Sequence, residues 1–470
     1  MTAPAGAARE FTTAESLLAL GASIALAALV FAEALFGSCS TLAFGVSDPR
    51  VDIRPWVRAA QPGEALPDVN LATPDVVGYV LPGLVRTRQL HAAGASGAWD
   101  DAQLLGIPFA ANGYFPSPSP AEWLTRPLDP VTALDVLLAA HVALALWLAY
   151  RAARLLGCAS AFAALAALGF AFSAWMTTRW SCAPMTWAST WFPLQLAALC
   201  WMRRGRAARA CLEFGAGTAL ALLSGFAQAA LLLAGAAALL ALLDPALRRP
   251  RALAPLALGG LTGLVVALPA LLPALELAGR SLRAEPAARH ALAESRVPPV
   301  ALAALLLPDV FGDPVAFGRP DAPAPTMEAW LPQRLFLQSQ LQSNVAEVAG
   351  YVGVLMLLLA PCAARAAAGA DARRLLLVAL LALAGAVLAP HLLTLSAATE
   401  RLAIGNSKRL LAVWCACLPF AGALAGQAVA RRRVRVPLAW AGVLLVAVLA
   451  APLLAAALRD PQAQAFAADL

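Results

Sequence analysis

The stretch "IGNSKRLL", residues 404–411, combines residue types that bind phosphate. Asn406 or Ser407 can cap the helix that the following apolar run predicts. Lys408, the only lysine of the chain, and Arg409 then fall in its first turn, where cations oppose the helix dipole unless an anion is bound. Backbone amides at a helix start, together with Lys and Arg, form a phosphate receptor. Snorkelling of two long cations at a membrane surface is the alternative explanation.

Asp75 in "ATPDVVGYVLPG", residues 72–83, is a second candidate for chemistry. It directly precedes a short apolar stretch, and a carboxylate held against apolar surroundings has a raised pKa that suits a general base. Asp is also a favoured helix N-cap, so capping of the helix that follows is the other role open to it.

Asp100 and Asp101 in "GAWDDAQLLG" could help to bind a divalent cation or a sugar hydroxyl. Adjacent side chains point in different directions on a helix or strand, so the simpler interpretation is a pair of solvated turn residues. The four histidines and eight cysteines are scattered without the spacing of a zinc site. No resident metal is therefore predicted, and a loosely held divalent cation stays open.

Acidic residues near the ends of apolar segments are informative because an ionisable group inside a bilayer is costly. Those at predicted outer ends are Glu33, Asp135, Glu276 and Glu347. They either rim a polar cavity that binds substrate or sit at the interface because acids are tolerated there. Trp175, Trp180, Trp187 and Trp191 cluster at one outer turn, where an aromatic belt or a sugar-stacking platform explains them.

The composition indicates a membrane protein. Of 470 residues, 61% are hydrophobic and 13% charged, against about 45–50% apolar and about 25% charged in soluble domains. The net charge of +7 comes from short basic clusters between apolar runs, so it indicates membrane topology and excludes a nucleic-acid surface.

Apolar runs long enough to cross a bilayer recur along the chain. We predict eleven transmembrane helices, near 16–36, 131–150, 158–178, 185–202, 210–224, 227–243, 252–277, 346–363, 374–390, 409–430 and 437–457. The first is longer than a signal-peptide core and lacks a cleavage pattern, so it is expected to be retained. Every second connection is short and arginine-rich, which predicts a cytoplasmic N-terminus.

This topology predicts an all-α polytopic fold with two long extracytoplasmic loops, of the length that usually carries function. Its parts are a first transmembrane helix (1–36), a loop with a juxtamembrane helix (37–130), a bundle (131–277), a second loop (278–345), a second bundle (346–457) and a C-terminal tail (458–470).

An ordered series of segments resembles one membrane-protein family. The first segment runs from "TPDVVGYVLPG" through "GAWDD" and "PFAANGYFP" to "AEWL". It is followed by "RLLGCASAFAALAALGFAFSAWMTTRW", "LLPALELAGRSLRAEP", "LLPDVFGDP", "YVGVLMLLLA" and "NSKRLLAVW". Together these resemble the bacterial YfhO-like proteins of the GT-C superfamily of polytopic glycosyltransferases, over residues from about 70 to 430 in the family order.

The resemblance implies an enzyme of the bacterial inner membrane. It would take a sugar from a polyprenyl-phosphate carrier and pass it to a glycan, lipid or protein acceptor on the outer face. Asp75 matches the family's carboxylate base, and Lys408 and Arg409 match the basic stretch that would receive the carrier phosphate. Asn112 and Tyr114 in "PFAANGYFP" would then offer hydrogen bonds to the sugar from a rigid lid.

Two segments depart from the family pattern. "SGFAQ", residues 224–228, has Phe226 where relatives carry a histidine, and "WDD", residues 99–101, replaces Trp-Asn-Pro. The corner at Phe226 therefore has no assigned role. A flippase for lipid-linked glycans and a non-catalytic membrane protein of the same fold stay open as alternatives. The charges crowd one face, whereas a transporter should carry them near the bilayer midplane.

Overall fold

The structure is a computed structural model. It describes residues 12–37, 79–102, 106–111, 119–281, 299–306, 345–393 and 406–437. Residues 285, 297, 308 and 440 are described singly.

Within the described residues the fold is helical, and the only β-type pairing there is an isolated bridge between Asp100 and Ile107. The α-helices are α1 (Thr13–Val30), α2 (Ala32–Phe36), α3 (Leu81–Ala92), α4 (Pro120–Thr125), α5 (Pro130–Leu155), α6 (Ser160–Ala171), α7 (Ala174–Thr177), α8 (Ala183–Ser189), α9 (Phe192–Arg203), α10 (Ala207–Leu223), α11 (Ala227–Leu243), α12 (Pro250–Arg280), α13 (Val354–Ala363), α14 (Ala370–Leu393) and α15 (Leu411–Ala430). The expected all-α class is confirmed for this part of the chain.

Five of the described helical segments are long and apolar enough to cross a membrane: Thr13–Val30, Pro130–Leu155, Pro250–Arg280, Ala370–Ala389 and Ser407–Ala430. Each coincides with a predicted span. Ser160–Ala171, Ala227–Leu243 and Val354–Ala363 are shorter apolar helices at three further predicted positions. The chain therefore has the architecture of a multi-pass membrane protein, while the count of eleven spans stays a prediction and 437–457 lies almost wholly outside the described residues.

Three predicted spans are interrupted. The helix predicted at 158–178 ends at Ala171 and resumes as the short α7. The one at 185–202 stops at Ser189 and restarts at Phe192, because Pro193 has no N–H and its ring crowds the carbonyl four residues earlier. The one at 346–363 becomes helical only at Val354, after Gly353 with φ +94°.

The central helix is α15, with its preceding turn. In this segment 89% of the residues of the apolar stretch are buried. In α1, at the periphery, only 11% of them are buried. Glycines permit its close packing: a Cβ on Gly422 would lie 2.8 Å from the Met356 sulfur of α13. Helices α10 and α12 approach even more closely, since a Cβ on Gly259 would lie 2.3 Å from the Cys211 carbonyl oxygen.

Polar contacts join the helix ends that are predicted to be cytoplasmic. The Arg154 Nε of α5 lies 2.6 Å from Glu15 Oε1 at the start of α1. The Gln427 Nε2 of α15 donates to the Gly157 carbonyl oxygen at 3.1 Å. These ends therefore share one side of the molecule, as the predicted alternation requires.

A second set of ion pairs lies on this same inner side. Both Nη atoms of Arg203, at the end of α9, lie 2.8 Å from the Asp371 carboxylate at the start of α14. Asp244, which follows α11, pairs with both Arg203 and Arg374. The arginines that indicated topology in the sequence thus also tie helix ends together.

Candidate functional site

A cluster of charged and amide side chains lies where three segments meet before α15. Arg409 Nη1 donates to Gln228 Oε1, and Gln228 Nε2 donates to the Asn406 carbonyl oxygen at 3.1 Å. Asn406 Nδ2 donates to Glu347 Oε2 at 3.1 Å, and Arg409 Nη2 lies 3.9 Å from Glu347 Oε1. Residues from distant parts of the sequence are therefore joined in one network.

The local fold of the basic stretch follows from its cap. Asn406 is the N-cap, and its side-chain oxygen accepts from the Lys408 backbone N–H at 2.9 Å. A 3-10 turn, Ser407–Leu410, then leads into α15. Capping by Asn406 was one of the two predicted options and is confirmed. Lys408 is 4% exposed, so snorkelling to solvent does not describe this residue.

The "SGFAQ" turn belongs to the same site. Gly225, with φ +92°, reverses the chain between α10 and α11, and Phe226 is the N-cap of α11. The Phe226 ring centroid lies 4.8 Å from the Arg409 guanidinium carbon, a cation–π contact. The corner that had no assigned role in the sequence thus supports Arg409 with an aromatic face and, through Gln228, an amide.

Arg179 adds a further buried cation. It is 2% exposed, and its guanidinium carbon lies 3.6 Å from the Trp175 ring centroid. Nη1 donates to the Thr178 hydroxyl at 3.2 Å, whereas Nη2 has no hydrogen-bond partner among the described residues. Arg179 lies within electrostatic range of Glu347 and Arg409. We call Arg179, Glu347, Lys408 and Arg409 the cationic cluster.

The cationic cluster is suited to an anion. Its described residues are three cations, Arg179, Lys408 and Arg409, and one carboxylate, Glu347, in a mostly buried setting. A buried charge is costly unless it is paired. In the described part of the chain, Arg409 Nε is also buried without a partner, like Arg179 Nη2. Guanidinium groups with free N–H donors match the geometry of phosphate oxygens.

An apolar cavity of about 460 Å³ lies between the 3-10 segment Pro299–Leu305 and helices α13, α14 and α15. Its lining is Leu302, Leu305, Leu306, Leu357, Ala360, Pro361, Ala364, Leu376, Leu380, Leu383, Trp414 and Trp440. Trp414 lines this cavity, and its Nε1 donates at 2.8 Å to the carbonyl oxygen of Gly350, three residues after Glu347.

The two adjacent aspartates of the first loop have different surroundings. Asp100 is fully buried, and its Oδ1 accepts from Arg86 Nε at 2.9 Å and from the Ala102 N–H at 3.0 Å. The hydrogen bond from Arg86 to this carboxylate raises the pKa of Arg86. Asp101 is 89% exposed and 3.7 Å from Arg86. The solvated-turn interpretation holds for Asp101 and is wrong for Asp100, which is buried because it pairs with α3.

The other sequence-predicted residues divide into three groups. Asp75, Asn112 and Tyr114 lie outside the described residues, so their roles stay predictions. Asp135 is 3% exposed and Glu347 belongs to the cationic cluster. Glu276 is 63% exposed and pairs with Arg280 at 2.9 Å, outside that cluster. No group of three potential metal ligands occurs among the described residues.

Sequence reasoning missed Arg179 and Gln228. Arg179 carried a signal, because an arginine in a short outer turn opposes the bias that keeps arginine inside. Gln228 carried none, since one amide at the start of an apolar helix is ordinary. Their importance comes from contacts with residues far away in the sequence.

Comparisons with known proteins find little. No family model matches the chain, and no curated protein matches it. Among solved structures, the arabinofuranosyltransferase AftD from Mycobacteria is similar, with a TM-score of 0.47 and 20% sequence identity. The similar region covers 92% of this chain and 27% of that one, so this chain spans little more than a quarter of the neighbour's length.

Proposed function

We propose that this chain is a membrane glycosyltransferase of the bacterial inner membrane. It moves a sugar from a polyprenyl-phosphate donor to a glycan, lipid or protein acceptor on the extracytoplasmic face. The observation that carries the proposal is the cationic cluster, in which Arg179 Nη2 and Arg409 Nε are buried without a hydrogen-bond partner among the described residues. The ordered resemblance to YfhO-like proteins supports the same conclusion from the sequence.

The charge of the cationic cluster favours the leaving group over the substrate. A sugar phosphodiester carries one negative charge, whereas a phosphate monoester carries about 1.5 to 2 at neutral pH. The unpartnered guanidinium donors of Arg179 and Arg409 therefore stabilise the departing lipid phosphate more strongly than the bound donor. Interactions that strengthen as the bond breaks lower the barrier to the chemical step.

The proposed reaction needs one base. The acceptor hydroxyl loses its proton to the Asp75 carboxylate, and its oxygen forms a bond to the anomeric carbon of the sugar. The bond between that carbon and the phosphate oxygen breaks, and the electron pair leaves with the lipid phosphate. The phosphate needs no proton to depart, so a second carboxyl acid is not required.

The remaining predicted residues have supporting roles in this proposal. Asn112 and Tyr114 hydrogen-bond to sugar hydroxyls from the first loop, and the exposed Asp101 contacts the sugar or a divalent cation. Asp100 supports this loop through Arg86. Glu347 orients Arg409 and contacts the substrate.

The first test measures sugar transfer from a panel of radiolabelled polyprenyl-phosphate sugars to membrane acceptors. We expect Arg409→Gln to lower transfer by about tenfold or more, since a hydrogen bond to a charged group contributes about 1.5–3 kcal/mol. Arg280→Gln is the matched control, because Arg280 is 77% exposed and pairs only locally in α12. Equal rates for wild type and Arg409→Gln would refute the phosphate site.

A second test separates transfer from transport. Wild-type protein and Asp75→Asn, reconstituted in liposomes, are compared for sugar transfer and for movement of a fluorescent lipid-linked sugar across the bilayer. The glycosyltransferase proposal expects Asp75→Asn to abolish transfer without changing the yield of folded protein. Movement of the lipid without transfer by either protein would favour the flippase.

A further inference from the structure

A second set of cations surrounds Trp201, at the inner end of α9. The guanidinium carbon of Arg209 lies 4.0 Å from the Trp201 ring centroid, and that of Arg204 lies 5.3 Å away. The indole Nε1 is buried and has no hydrogen-bond partner among the described residues. Two guanidinium groups thus lie near the ring of one tryptophan whose N–H donor is unsatisfied within the described residues, at the end of α9.

The nearby acid does not neutralise these cations. Glu213 accepts from Arg209 Nε at 2.9 Å and also pairs with Arg151. Arg204 Nη2 donates only to a backbone group, the Leu155 carbonyl oxygen at 2.9 Å, among the contacts of the described residues. Three arginines and one glutamate leave an excess of two positive charges around Trp201.

The other acids that the structure describes on this side are occupied as well. Asp244 and Asp371 hold Arg203 and Arg374, and Glu15 holds Arg154. Within the described part of the chain, no acid neutralises the remaining positive charge at Trp201, which suits it to a ligand.

We propose that Trp201, Arg204 and Arg209 bind the phosphate headgroup of an anionic phospholipid of the inner leaflet. A tryptophan and arginines at the end of an apolar helix lie at the depth of lipid headgroups. The guanidinium group of arginine binds two phosphate oxygens at once. Basic sites between membrane helices on the cytoplasmic side recognise anionic headgroups. The site is on the opposite side from the cationic cluster and does not depend on the proposed transfer reaction.

The test uses the full chain, purified in detergent and titrated with phosphatidylglycerol or phosphatidylcholine, with bound lipid counted by native mass spectrometry. Arg204→Gln should weaken phosphatidylglycerol binding about fivefold. This factor corresponds to the attraction of about 1 kcal/mol between one arginine and anionic headgroups. Trp201→Phe keeps an aromatic ring but removes the N–H donor, and it should also weaken binding. Phosphatidylcholine binding should be the same for all proteins.

Arg206→Gln is the control, because Arg206 lies in the same turn with an exposed side chain and is not one of the two arginines over the Trp201 ring. Its phosphatidylglycerol affinity should stay within about twofold of wild type. Equal losses for Arg204→Gln and Arg206→Gln would replace the proposed site with diffuse attraction to a basic face. Displacement of the lipid by millimolar glycerol phosphate would identify a soluble phosphate as the ligand and overturn the proposal.

Discussion

Arg179 and Arg409 illustrate how single residues acquire a role from their neighbours. Each guanidinium lies over an aromatic ring, Trp175 or Phe226, and each has one buried nitrogen without a partner among the described residues. The rings hold the charges in position while leaving donor atoms for a ligand. A residue that only stabilised the fold would be expected to have these donors satisfied.

Arg179→Lys tests this role at the residue scale. Lysine keeps the positive charge but loses the planar fork, so donor affinity should fall by about tenfold. Arg179→Met removes the charge and should lower kcat as well, because the leaving phosphate gains charge as it departs. Rates as a function of donor concentration give both quantities. An unchanged KM and kcat in Arg179→Met would exclude Arg179 from the donor site.

Asp100 and Asp101 should behave differently although they are adjacent. Asp100→Asn removes a buried charge-assisted hydrogen bond to Arg86 and should cost about 1–3 kcal/mol of stability. Asp101 is exposed, so Asp101→Asn should change stability by less than about 0.5 kcal/mol. Thermal unfolding in detergent measures both. Equal shifts in the two variants would contradict the structural role given to Asp100.

At the scale of elements, the pair α10 and α12 depends on small residues. Gly215, Gly259 and Gly263 bring the backbones together, and a Cβ on Gly263 would lie 2.5 Å from the Gly215 carbonyl oxygen. Small residues allow close helix packing in membranes, where the hydrophobic effect does not drive helices together. Helix α10 ends at the "SGFAQ" turn, so its position affects Gln228.

Gly259→Ala tests this packing. The added Cβ meets backbone that cannot move aside cheaply, so the variant should lose about 1–3 kcal/mol of stability, as in other overpacked sites. Gly235→Ala in α11 is the control, because its Cβ would have nothing within 4 Å. Detergent-solubilised yield and thermal midpoint report the difference. If both variants match wild type, close α10–α12 contact is not required for folding.

At the scale of the whole molecule, charge is separated by side. The ion pairs of Arg154, Arg203 and Arg374 lie at the predicted cytoplasmic ends, while the cationic cluster lies at the predicted outer ends. The predicted orientation therefore directs the proposed donor site to the extracytoplasmic face and the proposed lipid headgroup site to the cytoplasmic one.

Cysteine accessibility tests that orientation. In a background with Cys39 and Cys211 changed to alanine, Arg280→Cys should react with a membrane-impermeant maleimide in intact cells. Arg206→Cys and Arg432→Cys should react only after the membrane is opened. All three arginines have exposed side chains, so folding should tolerate the changes. The reverse pattern of labelling would invert the topology and refute the outer-face site.

The features that the sequence by itself determined depend on interactions within a segment of the chain. An apolar run of about 20 residues has little alternative to a membrane helix. The helix predicted at 227–243 accordingly has the observed bounds, and those of 131–150, 252–277 and 374–390 are extended by a few residues. The Asn406 cap is also local, since its donor is two residues away. Lys408 and Arg409 could be nominated for the same reason.

Only the tertiary structure decided which residues share the candidate site. Gln228, Glu347 and Arg409 are far apart in the sequence, and their contacts depend on how α11 and α15 pack with the segment before α13. Hydropathy did not reveal the helix breaks at 190–191 and before Val354, because it averages over a whole span. A break depends on one proline or glycine and on hydrogen-bond partners for the backbone groups that it frees. Trp414 supplies such a partner to Gly350 from a separate helix. Composition along the chain thus determined that this protein enters the membrane, and packing between distant segments determined where its charges meet.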